Sequence, residues 1–500
     1  MKIRATAYPI WNAFLPSADS QLSLREQLVR FFRKGVADGT LKSGIRLPAS
    51  RVLAQELQLS RMTVTGVYEQ LIAEGFLESR QGAGTYVAIK VSDEFAPSTS
   101  PPRPVMAGSL RSRHLLGLDS MSLAQPGWPL TPGLPALDAF PYGLWGRLEG
   151  RFWRGRMPSN SSYGNPQGLF SLREALAEYL GASRGIVCRP DNIIVAPGAQ
   201  AAVLIAALAL TNKGDTAWVE NPGYDATYRS LILSGLNTVG VPVDVDGLDV
   251  HAGRQLAPEA KLALVSPSHQ YPTGVTMSLA RRQALLQWAH EADAFILEDD
   301  YDSEFRYECA PTTALKALDG NNGRVVYVGT LSKLLIPGLR LGFLIAPDDL
   351  VDVLQRVRNG TGHRVPKSLQ ATAADFIGNG HLGTHIRRAK SLYTQRRSAL
   401  LAAISSEASG LLSVTTTATG LHLLAELPEG CDDQALTLAA RARQIGAGSL
   451  SGLYVPPAPQ VRQGLLMGFG NTRAESMLGA IQTLCGLIEG QMRNPIGGPI

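Results

Sequence analysis

Short apolar runs alternate with helical patterns after about residue 118, and this alternation limits the possible fold more than any other feature of the 500-residue chain. The runs are NIIVAPG at 192–198, TAWVE at 216–220, LALVSPS at 262–268, AFILEDD at 294–300 and RVVYVGT at 324–330. Such alternation is typical of an α/β domain with a largely parallel sheet. Because ligands bind at the carboxyl ends of parallel strands, we expect the chemistry in the polar and glycine-containing residues that end these runs.

A Pro/Ser-rich stretch, APSTSPPRPVMAGS at 96–109, separates this region from a differently patterned N-terminal segment. It is typical of an extended linker. Single cores rarely exceed about 250–300 residues, so a chain of this length predicts more than one domain. We therefore divide the chain into a head at 1–90, a linker at 91–118 and a large domain at 119–492.

The net charge of +5 lies entirely in the head. Residues 1–90 contain 12 Lys/Arg and 7 Asp/Glu, whereas the remaining residues contain 35 of each. A basic segment joined to a neutral domain is typical of a nucleic-acid-binding head on another module.

Four widely spaced cysteines form no CxxC pair, which predicts neither a metal site nor a disulfide framework and fits a reducing cytoplasm. The run AAVLIAALAL at 201–210 is too short to span a bilayer and predicts a buried helix. The N-terminus lacks the apolar core of a signal peptide. We expect no membrane partner.

Three helices and two strands are predicted in the head. Helical spacing over 22–41 places Leu24, Leu28, Phe31 or Phe32, and Val36 on one side. Residues 47–77 predict two more helices, with Ser50 and Ser60 as their N-caps. The short break between them fits a helix-turn-helix, and FLESRQGAGTYVA at 76–88 fits two strands around a glycine-rich tip, that is, a wing.

A helix-turn-helix reads DNA with the first turns of its second helix, so this part of the head supplies the candidate contacts. Its wing and preceding helix can reach phosphates or a minor groove. The DNA-binding candidates are Arg51, Arg61, Thr63, Thr65, Tyr68, Arg80 and Gln81. Any single arginine is more often an ordinary solvated charge, but the ordered helix, turn, helix and basic wing favour DNA binding. Residues 20–88 resemble the winged-helix domain of GntR-type bacterial regulators, an α+β fold.

A second set of residues matches what a pyridoxal phosphate site requires. A lysine must form an imine, a carboxylate must keep the pyridine nitrogen protonated, and the ring hydroxyl, ring face and phosphate each need a partner. Lys333 is the candidate for the imine and Asp299 for the pyridinium. The free backbone N–H groups at the start of a helix and the guanidinium group of arginine both bind phosphate well. The remaining candidates are Tyr301 for the ring hydroxyl, Tyr224 for stacking, and Gly198, Ala199, Gln200, Thr330, Ser332 and Arg340 for the phosphate.

Each of these features has an ordinary alternative. A lone lysine is usually on the surface, EDDYD at 298–302 could bind Mg²⁺, and PGAQ at 197–200 could be a plain strand-to-helix turn. The metal interpretation leaves Lys333 and Arg340 unexplained, so the ordered set favours the cofactor.

Residues 120–490 resemble the aspartate aminotransferase superfamily, pyridoxal phosphate fold type I. The motifs that carry the resemblance are YGNPQGLFSLREALAEYL, SHQYPTG, EDDYDSEF and TLSKLLIPGLRLGF. The fold it implies is α/β with a mixed, largely parallel sheet. Joined to a GntR-type head, the chain resembles the MocR subfamily of regulators. That resemblance implies a homodimeric transcription factor that senses pyridoxal phosphate, or an amine or amino acid that reacts with it.

Several positions depart from the aminotransferase pattern. Tyr271 takes the place of the asparagine that usually bonds the ring hydroxyl, with His269 and Gln270 beside it as possible substitutes. Leu466 takes the place of the arginine that grips the substrate carboxylate, and Arg462 and Arg473 are displaced from it.

Two further departures lie near the cofactor residues. Ala199 leaves only backbone N–H groups where a phosphate-binding side chain is common. Ala226 stands where some subfamily members carry a ligand arginine. Together the departures weaken the expectation of ordinary transamination.

Three functions remain open from the sequence. The favoured one is a pyridoxal phosphate-dependent transcriptional regulator. The alternatives are an active aminotransferase with an accessory DNA-binding head, and a scaffold whose cofactor site has decayed. The basic head and the missing arginine favour the first, and the complete set of Lys333, Asp299, Tyr301 and Arg340 argues against decay.

Overall fold

The computed structural model describes residues 14, 16, 22–88, 127–155, 161–307, 312–320, 322–415, 419–458 and 460–493. The chain divides into two compact units, Met1–Ala107 and Gly108–Ile500. The predicted linker at 91–118 lies outside the described residues.

The first unit is a winged helix-turn-helix, as predicted. Its helices are α1 (Leu24–Ala37), α2 (Ser50–Glu56) and α3 (Arg61–Ala73), and its wing strands are β1 (Leu77–Arg80) and β2 (Gly84–Val87). The two strands pair antiparallel, with Arg80 opposite Gly84 across the tip. Buried Leu28, Phe32, Leu53, Val64 and Leu71 form the centre of a small hydrophobic core.

Helix starts in this unit confirm one predicted cap and correct another. The Ser60 side chain accepts a hydrogen bond of 3.0 Å from the backbone N–H of Thr63 and so caps α3 as predicted. The prediction for Ser50 was wrong, because Ala49 is the N-cap of α2 and Ser50 is its first helical residue. Leu24 was expected on the buried side of α1 but is 45% exposed, since it lies in the first turn, ahead of the buried Leu28.

The second unit is built on a mixed, largely parallel sheet of eight strands, as expected. The strands are β3 (Ile193–Ala196), β4 (Thr216–Asn221), β5 (Asn237–Asp244), β6 (Gly247–Leu248), β7 (Leu262–Val265), β8 (Phe295–Asp300), β9 (Val325–Thr330) and β10 (Gly342–Ile345). They lie in the order β3-β10-β9-β8-β7-β4-β5-β6. The pairs from β9 through β5 are parallel, whereas β10 runs antiparallel to both neighbours and β6 antiparallel to β5. The five predicted runs are β3, β4, β7, β8 and β9.

Helices cover this sheet, and a smaller sheet follows. The helices are α4 (Tyr142–Arg154), α5 (Phe170–Arg184), α6 (Ala199–Leu210), α7 (Asp225–Ser234), α8 (Val250–Leu256), α9 (Leu279–Glu291), α10 (Leu315–Asp319), α11 (Val351–Thr361), α12 (Lys367–Gly378), α13 (His381–Glu407), α14 (Asp433–Arg441) and α15 (Ala474–Arg493). The smaller sheet is antiparallel, in the order β11 (Ser413–Thr415), β12 (His422–Glu426), β14 (Gly464–Gly468), β13 (Gly448–Ser449). As predicted, AAVLIAALAL forms a largely buried helix, α6.

Among the described residues, no helix is both long and apolar enough to cross a bilayer. Because β4, β7, β8 and β9 are parallel, their carboxyl ends meet at one edge of the sheet, and the loops that follow them enclose a cavity there.

Candidate functional site

The ten residues predicted to hold a cofactor all line one cavity in the second unit. The cavity contains about 1170 Å³ of empty space, its open mouth included. Its other wall residues are Pro132, Gly133, Leu134, Ser266, Tyr271, Asp302, Pro337, Leu421 and His422. The sequence analysis did not anticipate the 132–134 segment, which is far from the motifs along the chain.

Lys333 lies in the turn that follows β9. Its Nζ donates a hydrogen bond of 2.5 Å to the carbonyl oxygen of Gly133. A Cβ added to Gly133 would lie 3.0 Å from that nitrogen, so the glycine lets the backbone approach the amine closely. Burial lowers the pKa of Lys333, and the carboxylates of Asp302 and Asp299 partly offset this.

Asp299, on β8, is only 5% exposed, and its Oδ1 has no hydrogen-bond partner among the described residues. Burial, with the charge of Asp300, raises the pKa of Asp299 to about 7, against the opposing effect of Lys333. The next carboxylate, Asp300, is satisfied: it lies 2.5 Å from the guanidinium of Arg184 and accepts a hydrogen bond of 2.9 Å from the hydroxyl of Tyr327. The two adjacent carboxylates therefore differ, one paired within the protein and one left open.

Backbone and guanidinium groups meet at the start of α6. Gly198 precedes the helix with φ of 90°, a conformation that favours glycine, and the first N–H groups of α6 have no partners within the helix. A Cβ added to Gly198 would lie 3.5 Å from the guanidinium carbon of Arg340, so the cation lies beside this backbone. Arg340 also donates a long hydrogen bond of 3.5 Å to Gln200 Oε1. This arrangement suits an anion such as phosphate.

The three residues of the His-Gln-Tyr run occupy different environments. Tyr271 lines the cavity, with its ring edge-to-face with that of Tyr224 at 5.4 Å. Gln270 does not line it, because its side chain bonds Pro222 O at 2.9 Å, Tyr271 O at 2.6 Å and the N–H of Thr273 at 3.1 Å. His269 lies behind the wall, with Nδ1 3.0 Å from the Tyr301 hydroxyl. The idea that Gln270 replaces the missing asparagine was therefore wrong.

Arginines are sparse around the cavity. Within the described part of the chain, Arg340 is the only arginine that lines it. Leu466 is fully buried in an apolar cluster with Tyr271 and Leu424. Arg462 pairs instead with Glu426, and Arg473 lies 3.9 Å from Asp138. Neither displaced arginine lines the cavity, so neither replaces the arginine that binds the substrate carboxylate in aminotransferases.

The first unit presents a polar face at the start of α3 and at the wing. Arg51, Arg61, Arg80 and Gln81 are exposed, and Thr63 and Thr65 are half-buried. Arg80 donates to Glu78 Oε1 at 2.9 Å, and its guanidinium lies 4.4 Å from the centre of the Tyr86 ring, which orients it at the wing.

Tyr68 does not belong to this face, which corrects the prediction for it. Its ring is 5% exposed, packs edge-to-face on Phe32 at 6.0 Å, and its hydroxyl donates a hydrogen bond of 2.9 Å to Pro48 O. One turn of α3 separates Tyr68 from Val64 and Leu71, which are both buried, so all three lie on the core side of the helix.

Met62 was missed by the sequence analysis. It is 86% exposed in the first turn of α3, beside Arg61. A methionine in a helical pattern predicts a core residue, and only its place in the first turn marks it as a surface residue.

Two families match the two units. Residues 24–87 match the bacterial regulatory proteins of the gntR family, and residues 146–446 match aminotransferase class I and II. The probable rhizopine catabolism regulatory protein MocR of Rhizobium meliloti is 37% identical over 473 residues, covering 93% of this chain and 94% of the relative. The chain belongs to the MocR subfamily of GntR-type transcriptional regulators. Like its family, it carries a DNA-binding head and an aminotransferase-like domain.

Further relatives agree with this placement. The pyridoxine biosynthesis regulator PdxR of Corynebacterium glutamicum is 32% identical over 451 residues, covering 90% of this chain and 92% of the relative. Among solved structures, the kynurenine aminotransferase of Pyrococcus horikoshii, with pyridoxamine phosphate bound, has a TM-score of 0.67 and 26% identity, covering 80% of this chain and 98% of that chain. The second unit of this MocR-type regulator thus has the type I aminotransferase fold.

Pyridoxal phosphate is the cofactor of this aminotransferase class, and the residues present fit it. The deciding observation is the open Oδ1 of Asp299, a buried carboxylate oxygen that a pyridinium N–H would satisfy. The backbone at Gly198 and the guanidinium of Arg340 suit the phosphate. A bound cofactor supplies this cavity with a reactive aldehyde and an electron-withdrawing ring.

Proposed function

We propose that this MocR-type regulator holds pyridoxal phosphate at Lys333 and that occupancy of this cavity sets the DNA affinity of the head. The observation that carries the proposal is that a lysine with a lowered pKa and a buried carboxylate with an open oxygen face one cavity. A lowered pKa keeps more of the amine unprotonated, which is the form that reacts with an aldehyde.

Roles follow for the other cavity residues. Asp299 neutralises the ring nitrogen, Tyr301 bonds the ring oxygen and Tyr224 covers one ring face. The phosphate would be held by the backbone N–H groups at Gly198, Ala199 and Gln200, the hydroxyls of Thr330 and Ser332 and the charge of Arg340. Thr330 has the weakest claim, because its hydroxyl already donates a hydrogen bond of 3.4 Å to the carbonyl oxygen of Leu341.

In the head, we assign base contacts to the first turns of α3. Arg61 and Thr63 offer donors to base edges, and exposed Met62 offers an apolar contact for a thymine methyl group. Thr65, Arg51, Arg80 and Gln81 hold the flanking phosphates or the minor groove. Tyr68 stabilises the fold of the head and makes no DNA contact.

The effector is pyridoxal phosphate itself or an amine that reacts with it. Arg340 is the only arginine on the described cavity wall, and it lies beside the Gly198 backbone, where it serves the phosphate. A substrate carboxylate therefore lacks the bidentate partner that gives strong binding. This supports sensing over complete transamination and disfavours the aminotransferase alternative.

A homodimer is part of the proposal. Four aromatic side chains of the second unit are more than half exposed, namely Tyr142, Trp153, Tyr163 and Phe170. Covering these side chains with a second copy of the large domain would bury apolar surface, which favours association. Paired large domains would carry two heads, and two heads can read two half-sites of a promoter operator.

Two measurements on the purified protein test the proposal together. The first is the near-ultraviolet and visible absorbance with pyridoxal phosphate, before and after an amine is added. The second is promoter binding under the same conditions. We expect an absorbance band that responds to amine, together with sequence-specific DNA binding. A band with rapid turnover of amino acid and no specific DNA binding would support the aminotransferase alternative instead.

A further inference from the structure

His269 makes two contacts through a single ring nitrogen. Its Nδ1 lies 2.9 Å and 3.1 Å from the two carboxylate oxygens of Asp302, and 3.0 Å from the Tyr301 hydroxyl oxygen. His269 is 2% exposed and Asp302 is 1% exposed. The ring is also held from the other side, because a Cβ added to Gly420 would lie 1.9 Å from its Cε1. The ring therefore has little freedom to move.

The hydrogen on His269 can be assigned from these partners. An ionised carboxylate only accepts hydrogen bonds, so a neutral imidazole facing Asp302 carries its hydrogen on Nδ1. The other nitrogen, Nε2, is buried without a partner within the described residues. A hydrogen there would leave a buried donor unsatisfied and set the Nδ1 lone pair against the carboxylate, and both effects cost free energy.

This assignment decides where the hydroxyl hydrogen of Tyr301 points. Since Nδ1 carries a hydrogen, it cannot accept the phenol hydrogen, and the Tyr301 oxygen can only share in accepting the Nδ1–H. The phenol is protonated near neutral pH, because burial and the charge of Asp302 raise its pKa well above the usual value. Its hydrogen is thus left for another acceptor, and Tyr301 lines the cavity.

We propose that His269 and Asp302 are positioning residues that hold the Tyr301 hydroxyl with its hydrogen directed at the ring oxygen of the cofactor. The arrangement replaces the asparagine that ordinary aminotransferases use, whose place Tyr271 takes. Tyr271 is the competing donor, because its phenol also lines the cavity. No described partner holds the Tyr271 hydroxyl, and its ring is packed among Tyr224 and His422. The inference rests on the proposed binding of pyridoxal phosphate.

The charged and titratable groups around Tyr301 come from several elements. They are Asp299 and Asp302 beside it, Glu220 at the end of β4, His269 and Tyr271 before α9, Lys333 after β9 and His422 on β12. Burial lowers the pKa of His422 to about 3, so this ring is neutral across the pH range of the test. A His269 substitution removes no carboxylate, which makes it cleaner than a change at Asp302.

The test is a spectroscopic pH titration of the protein loaded with pyridoxal phosphate. It reports the apparent pKa of the proton shared by the Lys333 nitrogen and the ring oxygen. A donor to the ring oxygen stabilises the deprotonated form, so losing it raises this pKa. We expect Tyr301→Phe to raise it by about one unit, a tenfold change in the proton equilibrium. His269→Ala should raise it in the same direction, and His269→Asn, whose amide can supply an N–H near Nδ1, should restore most of the wild-type value.

Two comparisons make the result specific. Tyr271→Phe should shift the pKa far less than Tyr301→Phe. In a Tyr301→Phe background, His269→Ala should add almost nothing, because a residue that acts through Tyr301 has no effect without it. His251→Ala, on the exposed surface of α8, is the matched surface control, and thermal unfolding checks that each variant is folded.

A larger shift for Tyr271→Phe than for Tyr301→Phe would overturn the proposal. The proposal would also be overturned if the pKa shifts of His269→Ala and Tyr301→Phe were additive in the double variant. If His269→Ala fails to fold, His269→Asn and the two tyrosine variants still decide between the donors. A wild-type protein that shows no cofactor band with added pyridoxal phosphate would contradict cofactor binding itself, which is a different failure.

Discussion

The amine of Lys333 donates a hydrogen bond of 2.5 Å to the carbonyl oxygen of Gly133, a residue 200 positions earlier in the chain. The contact holds the lysine at the cavity wall while burial lowers its pKa. A lysine held in this way is ready to react with an aldehyde once that hydrogen bond is released.

Lys333→Ala should abolish covalent attachment of pyridoxal phosphate. Borohydride reduction of the wild-type protein with the cofactor, followed by peptide mass spectrometry, should place the pyridoxyl group on Lys333. Lys213→Ala, at an exposed position before β4, should leave the attachment unchanged. An adduct found mainly on another lysine would contradict the assignment.

Asp299→Asn should stabilise the cofactor-free protein and weaken its interaction with the cofactor ring. The pKa of Asp299 is raised from 3.8 to about 7, so the folded state binds more protons than the unfolded state in that window. Stability is therefore lost as the pH rises from about 4 to 7, and the substitution removes this loss. We expect a gain of about 1–3 kcal/mol in the free energy of unfolding at pH 8, and less at pH 5.

Asp300→Asn is the matched control, because the adjacent carboxylate is paired with buried Arg184 at 2.5 Å. Breaking a buried pair leaves an uncompensated charge and should cost about 3–5 kcal/mol. Thermal unfolding at both pH values measures the two variants side by side. Equal destabilisation by both substitutions would show that Asp299 is not held open for a ligand.

Substitutions in the head should separate base contacts from phosphate contacts. Arg61→Ala and Thr63→Ala should lower affinity for the operator by about 1–3 kcal/mol each and relax sequence preference. Arg80→Ala should weaken binding evenly across sequences and reduce the slope of log affinity against log salt by about one. Binding titrations at several salt concentrations measure both effects, with Arg147→Ala on α4 as an exposed control in the second unit. If Arg80→Ala relaxed the sequence preference and neither Arg61→Ala nor Thr63→Ala did so, the assignment of base and phosphate contacts would be reversed.

Tyr68→Phe should reduce the stability of the head without changing the DNA contacts. The substitution removes the hydrogen bond of 2.9 Å to Pro48 O, which should cost about 1 kcal/mol. DNA affinity measured well below the unfolding temperature should match that of the wild type. A large drop in affinity with unchanged stability would return Tyr68 to the DNA-binding face.

Sequence patterns predicted the parts of the fold that depend on local periodicity. The five apolar runs became β3, β4, β7, β8 and β9, because strands that are buried on both faces of a sheet consist largely of apolar residues. Strand β10 was not anticipated, since its insertion between β3 and β9 is decided by distant contacts. Gly342 permits that insertion, because a Cβ there would lie 2.7 Å from the Gly198 carbonyl carbon.

The prediction for Tyr68 was wrong because its polar side chain lies on the buried face of α3. Tyr68 carries a hydroxyl that can bond DNA or a nearby carbonyl, and the pattern alone does not reveal that Pro48 O is within reach. The contribution of Gly133 to the cavity was likewise invisible, because no local pattern connects it with Lys333.

The ten candidate residues were predicted as a set because each chemical group of pyridoxal phosphate requires its own partner in the protein. His269 was noticed only as a neighbour of the missing asparagine. Its contacts with Asp302 and Tyr301 depend on how two loops meet, which the spacing of residues does not encode.

Coupling between the Lys333 cavity and the head is tested most directly by DNA affinity measured with and without pyridoxal phosphate. The wild-type protein and Lys333→Ala are compared on the same promoter fragment. If the cofactor and DNA favour different arrangements of the protein, each lowers the affinity for the other, and the coupling free energy is the same in both directions. We predict that the cofactor changes the affinity or footprint of the wild type, and that Lys333→Ala still binds DNA but no longer responds. Wild-type affinity, footprint and promoter output that all stay unchanged on adding the cofactor would contradict the account.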